Sequence, residues 1–93
     1  NAQTGTIAIG HQALTALTSG ARNTAVGYLS GSAIVGGADN TSIGYNALPG
    51  NISGNNNVCV GSYAMGNMSG DGLYNNIAIG YKAMYGEGSA TCD

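Results

Sequence analysis

Five short segments of this chain share one pattern and follow one another at nearly constant spacing. Each segment consists of a β-branched residue, a small residue, a second β-branched residue and a glycine. The glycines are 17 residues apart except for the last spacing of 19; they are Gly10, Gly27, Gly44, Gly61 and Gly80. Such a repeat indicates a solenoid, because one coil cannot bury its apolar side chains alone whereas stacked coils can.

Side chains alternate in size within each segment, which indicates a short strand. We expect the β-branched residues to point into the coil as a core ladder, and the small residues to point outward onto a face that something else approaches closely. The core ladder is predicted at Ile7, Ile9, Val26, Ile43, Val58, Val60, Ile77 and Ile79. The small residues are Ala8, Ala25, Ser42, Cys59 and Ala78.

Two columns that flank the strands are predicted to form turns. A glycine after each strand suits a corner that needs positive φ or close backbone approach. Asn precedes four of the five strands; it tolerates left-handed backbone at turns, and stacked Asn side chains can form an amide ladder between coils. These residues are Asn23, Asn40, Asn57 and Asn76. In the arm that follows, Leu17, Ile34 and Met68 are plausible inward residues.

The spacing predicts an all-β fold, a parallel β-solenoid (β-roll) of five coils with about 17 residues per coil. Seventeen residues hold two short strands and two turns, and no helical apolar stripe is visible. One domain covers residues 1–93, with coils that start near residues 6, 23, 40, 57 and 76. The longer last spacing is assigned to an insertion around Asp71–Tyr74.

The segments Asn23–Tyr28 (Asn-Thr-Ala-Val-Gly-Tyr) and Asn40–Leu48 (Asn-Thr-Ser-Ile-Gly-Tyr-Asn-Ala-Leu) resemble repeats of bacteriophage tail fibres. They are also similar to the Ala-Ile-Gly repeats of trimeric autotransporter adhesin heads. The resemblance extends from about Thr6 to Met84. It implies a parallel β-roll, commonly left-handed and trimeric, in an extracellular fibre, and it carries over no catalytic residue.

Charged residues make up only 6% of the chain, and the net charge is −2. Arg22 and Lys82 are the only basic residues, so no patch for nucleic acid is expected. No segment has the length of a transmembrane helix, so we expect no membrane insertion. The carboxylates are scattered and no activated nucleophile is evident, so we expect no enzyme activity, metal or cofactor. Because the chain begins at Asn1 rather than Met, we expect a fragment, a processed chain or a sequence without its start.

A mostly aromatic column follows the glycines and contains His11, Tyr28, Tyr45, Ser62 and Tyr81. We expect Tyr28, Tyr45 and Tyr81 to pack at an interface or along the side of the solenoid, although stacked aromatic rings can also bind sugars. The single histidine, His11, is expected to be a surface or interface side chain.

Two cysteines and three sequons are candidate modification sites. Cys59 occupies the small-residue column, so a small buried residue is favoured, and a disulfide with Cys92 remains the alternative. Asn40, Asn51 and Asn67 each begin an Asn-x-Ser/Thr sequence. In a secreted eukaryotic protein Asn51 and Asn67 would be the preferred glycosylation sites, while Asn40 begins a strand and would be less accessible.

These features predict a structural subunit or segment of an extracellular fibre or filament, on a cell surface, secreted or in a virion. Solenoid ends usually carry caps, yet Thr6–Gly10 looks like an internal coil. We therefore expect other chain material to cover both ends, either more of the same polypeptide or identical subunits. The predicted assembly is a homo-oligomer, as a trimer or a head-to-tail stack, that forms through the open ends and the small-residue face. The alternative is an adhesive module that binds a receptor or a glycan. An ice-binding face is not expected, because Val58 and Ile77 interrupt the Thr column.

Overall fold

The computed structural model describes residues 4–48, 53–66 and 74–85. They form five parallel strands in one sheet with the order β1-β2-β3-β4-β5. The strands are β1 (Ile7–Ile9), β2 (Thr24–Val26), β3 (Thr41–Ile43), β4 (Val58–Val60) and β5 (Ile77–Ile79). The chain is a β-solenoid of about four turns with its strands about 17 residues apart, and the described ranges contain no helix.

The coils stack column on column, as the repeat predicts. Ile9 pairs with Val26, Val26 pairs with Ile43, and the row continues through Val60 to Ile79. The longer last spacing leaves the register intact, because Val58 still pairs with Ile77. The all-β solenoid prediction is therefore confirmed. The predicted insertion lies largely outside the described residues.

Main-chain hydrogen bonds also join neighbouring coils outside the strands. The N–H of Leu14 donates to the carbonyl of Ser30 at 3.0 Å, and equivalent bonds follow in the later coils. At another corner the N–H of Arg22 donates to the carbonyl of Thr4 at 2.8 Å, and this bond also recurs. Because such bonds occur on several sides of the coil, they satisfy backbone groups that the three-residue strands cannot pair.

Each coil turns sharply by means of four columns of backbone with positive φ. The first is the glycine column, with φ between 124° and 131°, which confirms the predicted turn at Gly10, Gly27, Gly44, Gly61 and Gly80. The second column is the residue before each strand-flanking Asn and includes Arg22, Asp39, Asn56 and Asn75. The third follows the glycines by two residues and includes Leu29 and Tyr63. The fourth follows the glycines by four residues and includes Leu14, Leu48 and Met65. The left-handed residue at the Asn corner is thus the one before Asn, which corrects the turn role predicted for Asn23, Asn40, Asn57 and Asn76.

The prediction for the two faces of the sheet is wrong, because the small residues point inward and the β-branched residues point outward. Ala25 and Cys59 are fully buried, whereas Ile9 is 59% exposed and Ile79 is 67% exposed. Of the predicted core ladder, Ile7, Ile9, Ile43, Ile77 and Ile79 are exposed, and Val26, Val58 and Val60 are only partly buried.

The opposite arm of the coil explains this reversal, since it supplies the large core side chains. Ile34, Leu48 and Met65 are fully buried. The Sγ of Cys59 lies 3.0 Å from the Sδ of Met65, so the strand and the opposite arm are in direct contact. A β-branched side chain at such an inward position would overlap the facing arm, since a packed interior has no spare volume. The inward prediction is confirmed for Leu17 and Ile34, and Met68 lies outside the described residues.

Candidate functional site

The outer side of the sheet, which we call the aliphatic face, is the main apolar surface of the described chain. Its ten residues are Ile7, Thr24, Thr41, Val58, Ile77 in one row and Ile9, Val26, Ile43, Val60, Ile79 in the other. Eight of them are Ile or Val, and none is charged. Because contiguous exposed apolar surface usually marks an interaction site, this face is the first candidate.

A row of aromatic side chains runs along the solenoid beside the glycine corner, and we call it the aromatic row. It contains His11, Tyr28, Tyr45, Tyr63, Tyr81 and Tyr85. Tyr28 stacks on Tyr45 with 5.5 Å between ring centroids and 4° between planes. Tyr63 meets Tyr45 edge to face, and hydrogen bonding between these side chains raises the pKa of Tyr45.

The column prediction for the aromatic row was incomplete. The residue at the predicted position in coil four is Ser62, and its neighbour Tyr63 takes the place of the missing ring. Tyr81 is 70% exposed at the end of the row, and the ammonium of Lys82 lies 5.5 Å from its ring centroid. The sequence does show Tyr63 next to Ser62. A shift of one residue normally points a side chain in another direction, so contact with Tyr45 could not be expected before the geometry of the corner was known.

Inside the coil the Asn side chains form the amide ladder that the sequence allows. The Oδ1 of Asn23 accepts bonds from both the backbone N–H and the Nδ2 of Asn40, at 3.0 and 3.1 Å. The same pair of bonds joins Asn40 to Asn57 and Asn57 to Asn76. These residues are buried, and the ladder therefore aligns successive coils through satisfied polar groups in the interior.

The two ends of the sheet present different backbone groups. Along the sheet, the first strand residue donates its N–H to the carbonyl of the next coil's Asn, as Ile7 does to Asn23 at 2.9 Å. The next coil's glycine donates to the carbonyl of the last strand residue, as Gly27 does to Ile9 at 2.8 Å. A further coil beyond β5 would, by this pattern, accept a bond from the N–H of Ile77 and donate one to the carbonyl of Ile79. Neither group has a partner among the described residues.

The cysteine prediction is resolved in favour of the small buried residue. Cys59 is fully buried as a free thiol, and burial raises its pKa to about 12. Its proposed disulfide partner, Cys92, lies outside the described residues. A buried protonated thiol is a poor nucleophile, because the reactive species is the thiolate.

The structure also corrects one glycosylation candidate. The Nδ2 of Asn40, to which a glycan would be attached, is buried and donates to the Oδ1 of Asn23 and the carbonyl of Gly54. A glycan at this atom would break the ladder. Asn51 and Asn67 lie outside the described residues.

Few charges lie on the described surface. Arg22 and Asp39 form an exposed two-point ion pair, with Nε 2.6 Å from one carboxylate oxygen and a terminal nitrogen 2.9 Å from the other. Hydrogen bonding to Arg22 lowers the pKa of Asp39. Residues 4–48, 53–66 and 74–85 contain no cavity and no cluster of three metal-ligating side chains. The same ranges include no helix that is long and apolar enough to cross a bilayer.

The geometry defines this chain as a parallel β-solenoid with an internal amide ladder, an outer aliphatic face and two sheet edges that no described residue pairs with. No protein-family model, curated protein or solved structure matches the chain.

Proposed function

We propose that this chain is a structural subunit or segment of an extracellular fibre or filament and that it assembles with copies of itself. The observation that carries the proposal is the aliphatic face, on which Ile9, Ile77 and Ile79 are each more than half exposed. Burying this apolar surface against a partner would stabilise an assembly by about 25 cal/mol per Å² of surface removed from water. The resemblance to tail-fibre and adhesin repeats supports the same class.

The lateral contact surface differs from the one that the sequence suggested. From the second coil onward, the small residues that were expected to face a neighbour are buried inside the coil, as Ala25, Ser42 and Cys59 show. Lateral packing, whether around a threefold axis or against parallel fibres, must therefore use the aliphatic face. β-branched side chains repeated at the strand spacing of about 4.8 Å suit such packing, because a matching face can interdigitate with them.

An adhesive module that binds glycans is the second candidate, and the exposed aromatic row favours it. Sugars usually stack on the open face of a ring, however, and Tyr28 and Tyr45 turn their faces toward each other. Within the stacked part of the row, mainly ring edges and hydroxyl groups are left for a ligand. This arrangement supports a structural role more than a sugar platform.

The test is the assembly state of the whole chain and of a triple variant, Ile9→Thr, Ile43→Thr and Ile79→Thr. Threonine keeps the β-branched shape and already occupies this face at Thr24 and Thr41. The original chain should form fibres or oligomers by electron microscopy and light scattering, and the variant should shift toward smaller species at equal concentration.

A matched control is Thr15→Ala, which changes an exposed polar residue away from the aliphatic face. It should assemble like the original chain. If the original chain stays monomeric at high concentration and binds glycans on an array, the fibre proposal fails and the adhesive alternative replaces it.

A further inference from the structure

We propose that the two ends of the solenoid bind each other, so that the first coil of a second copy stacks on coil five of the first in the register of internal coils. This inference rests on the proposed function and names its partner surface and register. The partner is a second copy of this chain, and the contact is made by the sheet edges at the two ends rather than by the outer side of the sheet.

The two sheet edges have complementary hydrogen-bonding groups. By the repeating pattern, the edge of β5 leaves the N–H of Ile77 and the carbonyl of Ile79 for a further coil. The edge of β1 leaves the carbonyl of Thr6 and the N–H of Gly10, and none of these groups is bonded within the described part of the chain. Placed one coil apart, the edges form the same donor–acceptor pairs that join every internal coil.

The two ends of the Asn ladder are complementary as well. At its upper end the Oδ1 of Asn76 has no donor among the described residues, whereas every lower Oδ1 in the ladder accepts two bonds. At its lower end the column holds Thr6 in place of Asn, and the buried Oγ1 of Thr6 has no hydrogen-bond partner. In the proposed stack the backbone N–H and the hydroxyl of Thr6 would donate to the Oδ1 of Asn76. The buried hydroxyl of Thr6 would then gain the hydrogen-bond partner that it lacks within one copy.

The glycine column also leaves room for a further coil above coil five. A Cβ on Gly10, Gly27, Gly44 or Gly61 would meet backbone atoms of the next coil at 2.6 to 2.8 Å. A Cβ on Gly80 would meet nothing within 4 Å, although the backbone has the same φ of +124°. Coil five therefore ends in a surface with the close-approach geometry of an internal coil, and no described residue lies against it at Gly80.

The sequence at the two edges matches this arrangement. β1 and β5 are both Ile-Ala-Ile, and each is followed by Gly. In the stack Ile7 would pair with Ile77 and Ile9 with Ile79, which continues both rows of the aliphatic face from one copy into the next. His11 would lie above Tyr81 and continue the aromatic row. Because the two surfaces differ and the contact does not close, repeated stacking produces an open filament.

The register can be tested by cysteine cross-linking of the full chain in a Cys92→Ser background. Neighbouring coils are about 4.8 Å apart, which lies within the Cα separation of a disulfide. A mixture of His11→Cys and Tyr81→Cys chains should therefore form intermolecular disulfides under mild oxidation. A mixture of Tyr45→Cys and Tyr81→Cys chains is the matched control and should not, because the stack places these residues about three coils apart.

Substitutions at Thr6 test the ladder contact separately from folding. Thr6→Val removes a hydroxyl that has no partner within one copy, so the melting temperature of the isolated chain should be unchanged or slightly raised. End-to-end association, measured by sedimentation, should weaken about three- to tenfold from the lost hydrogen bond. Thr6→Asn should instead strengthen association, because it supplies the amide that the column otherwise contains.

The possible outcomes separate this inference from the proposed function. Fibres that show no disulfide between His11→Cys and Tyr81→Cys chains would overturn end-to-end stacking and leave the fibre role in place. Unchanged association of Thr6→Val would overturn the contact between Thr6 and Asn76. A chain that forms no assembly at any concentration would overturn both proposals.

Discussion

Replacing Asn40 with alanine should remove a large share of the stability of this fold. The Asn40 side chain makes four hydrogen bonds, three of them with the Asn residues of the neighbouring coils. Its Nδ2 donates to the Oδ1 of Asn23 at 3.1 Å and to the carbonyl of Gly54 at 2.8 Å. Its Oδ1 accepts from the backbone N–H and the Nδ2 of Asn57, at 3.1 and 3.0 Å. Alanine at this position removes all four of these bonds from the interior of the stack.

The magnitude follows from the count of bonds. A hydrogen bond contributes about 0.5–1.5 kcal/mol net, so four bonds correspond to roughly 4 kcal/mol. Domains of this kind have unfolding free energies of about 5–15 kcal/mol in total. For a chain of this length, the loss should lower the melting temperature by roughly 15–30 °C.

Asn76→Ala is the matched control, because Asn76 has the same residue type in the same buried column. Its Nδ2 donates to Asn57 at 3.1 Å, but its Oδ1 accepts no bond from a described residue. Its replacement should therefore cost about 1 kcal/mol in the monomer. Thermal and urea unfolding, followed by far-ultraviolet circular dichroism on dilute samples, measure both changes. Equal losses of stability in the two variants would show that the number of ladder hydrogen bonds does not determine the contribution of an Asn to the free energy of unfolding.

Three other predictions concern single residues. The folded-state pKa of Cys59 is about 12, above the value near 9 of an exposed thiol, so the unfolded state loses its proton first. The unfolding free energy should therefore fall as pH rises from about 9 to about 12, and the fall should be smaller in Cys59→Ala. Native Cys59 should not react with a thiol reagent at neutral pH. Gly44→Ala should destabilise the chain by at least about 3 kcal/mol in urea unfolding, since it combines backbone strain with a clash at 2.8 Å, whereas Gly80→Ala adds strain alone to the monomer. Asp39→Asn should leave the melting temperature nearly unchanged at neutral pH, because the ion pair with Arg22 is exposed and Asn suits left-handed backbone; a large loss would contradict this reasoning.

Spacing in the sequence was enough to establish how the chain stacks. A glycine that recurs every 17 residues, preceded by a β-branched row, predicts parallel coils in a shared register, and the pairing of Ile9 with Val26 confirms it. The glycine turn was also predictable, because positive φ near 125° suits glycine alone. These features repeat in every coil and depend only on local chemistry, so they are visible in one dimension.

The direction of the side chains could not be read in the same way. Period-two alternation separates two faces of a strand, but it does not say which face is inside. Because the β-branched side chains are larger, they were expected to be the inward ones. Asn23 and Ala25, however, are two residues apart and share the buried face. The ladder and the inward β-branched rows were therefore incompatible expectations.

The deciding factor was the width of the coil. Two short arms leave little space between them, and Leu48 and Met65 on one arm fill it, so that only Ala, Ser or Cys fits on the strand opposite. This constraint depends on the distance between side chains on facing arms of the coil. A pattern in the sequence does not show that distance. Local repetition thus determined the register of the solenoid, while its cross-section determined that the aliphatic rows lie on the outside, where a partner can reach them.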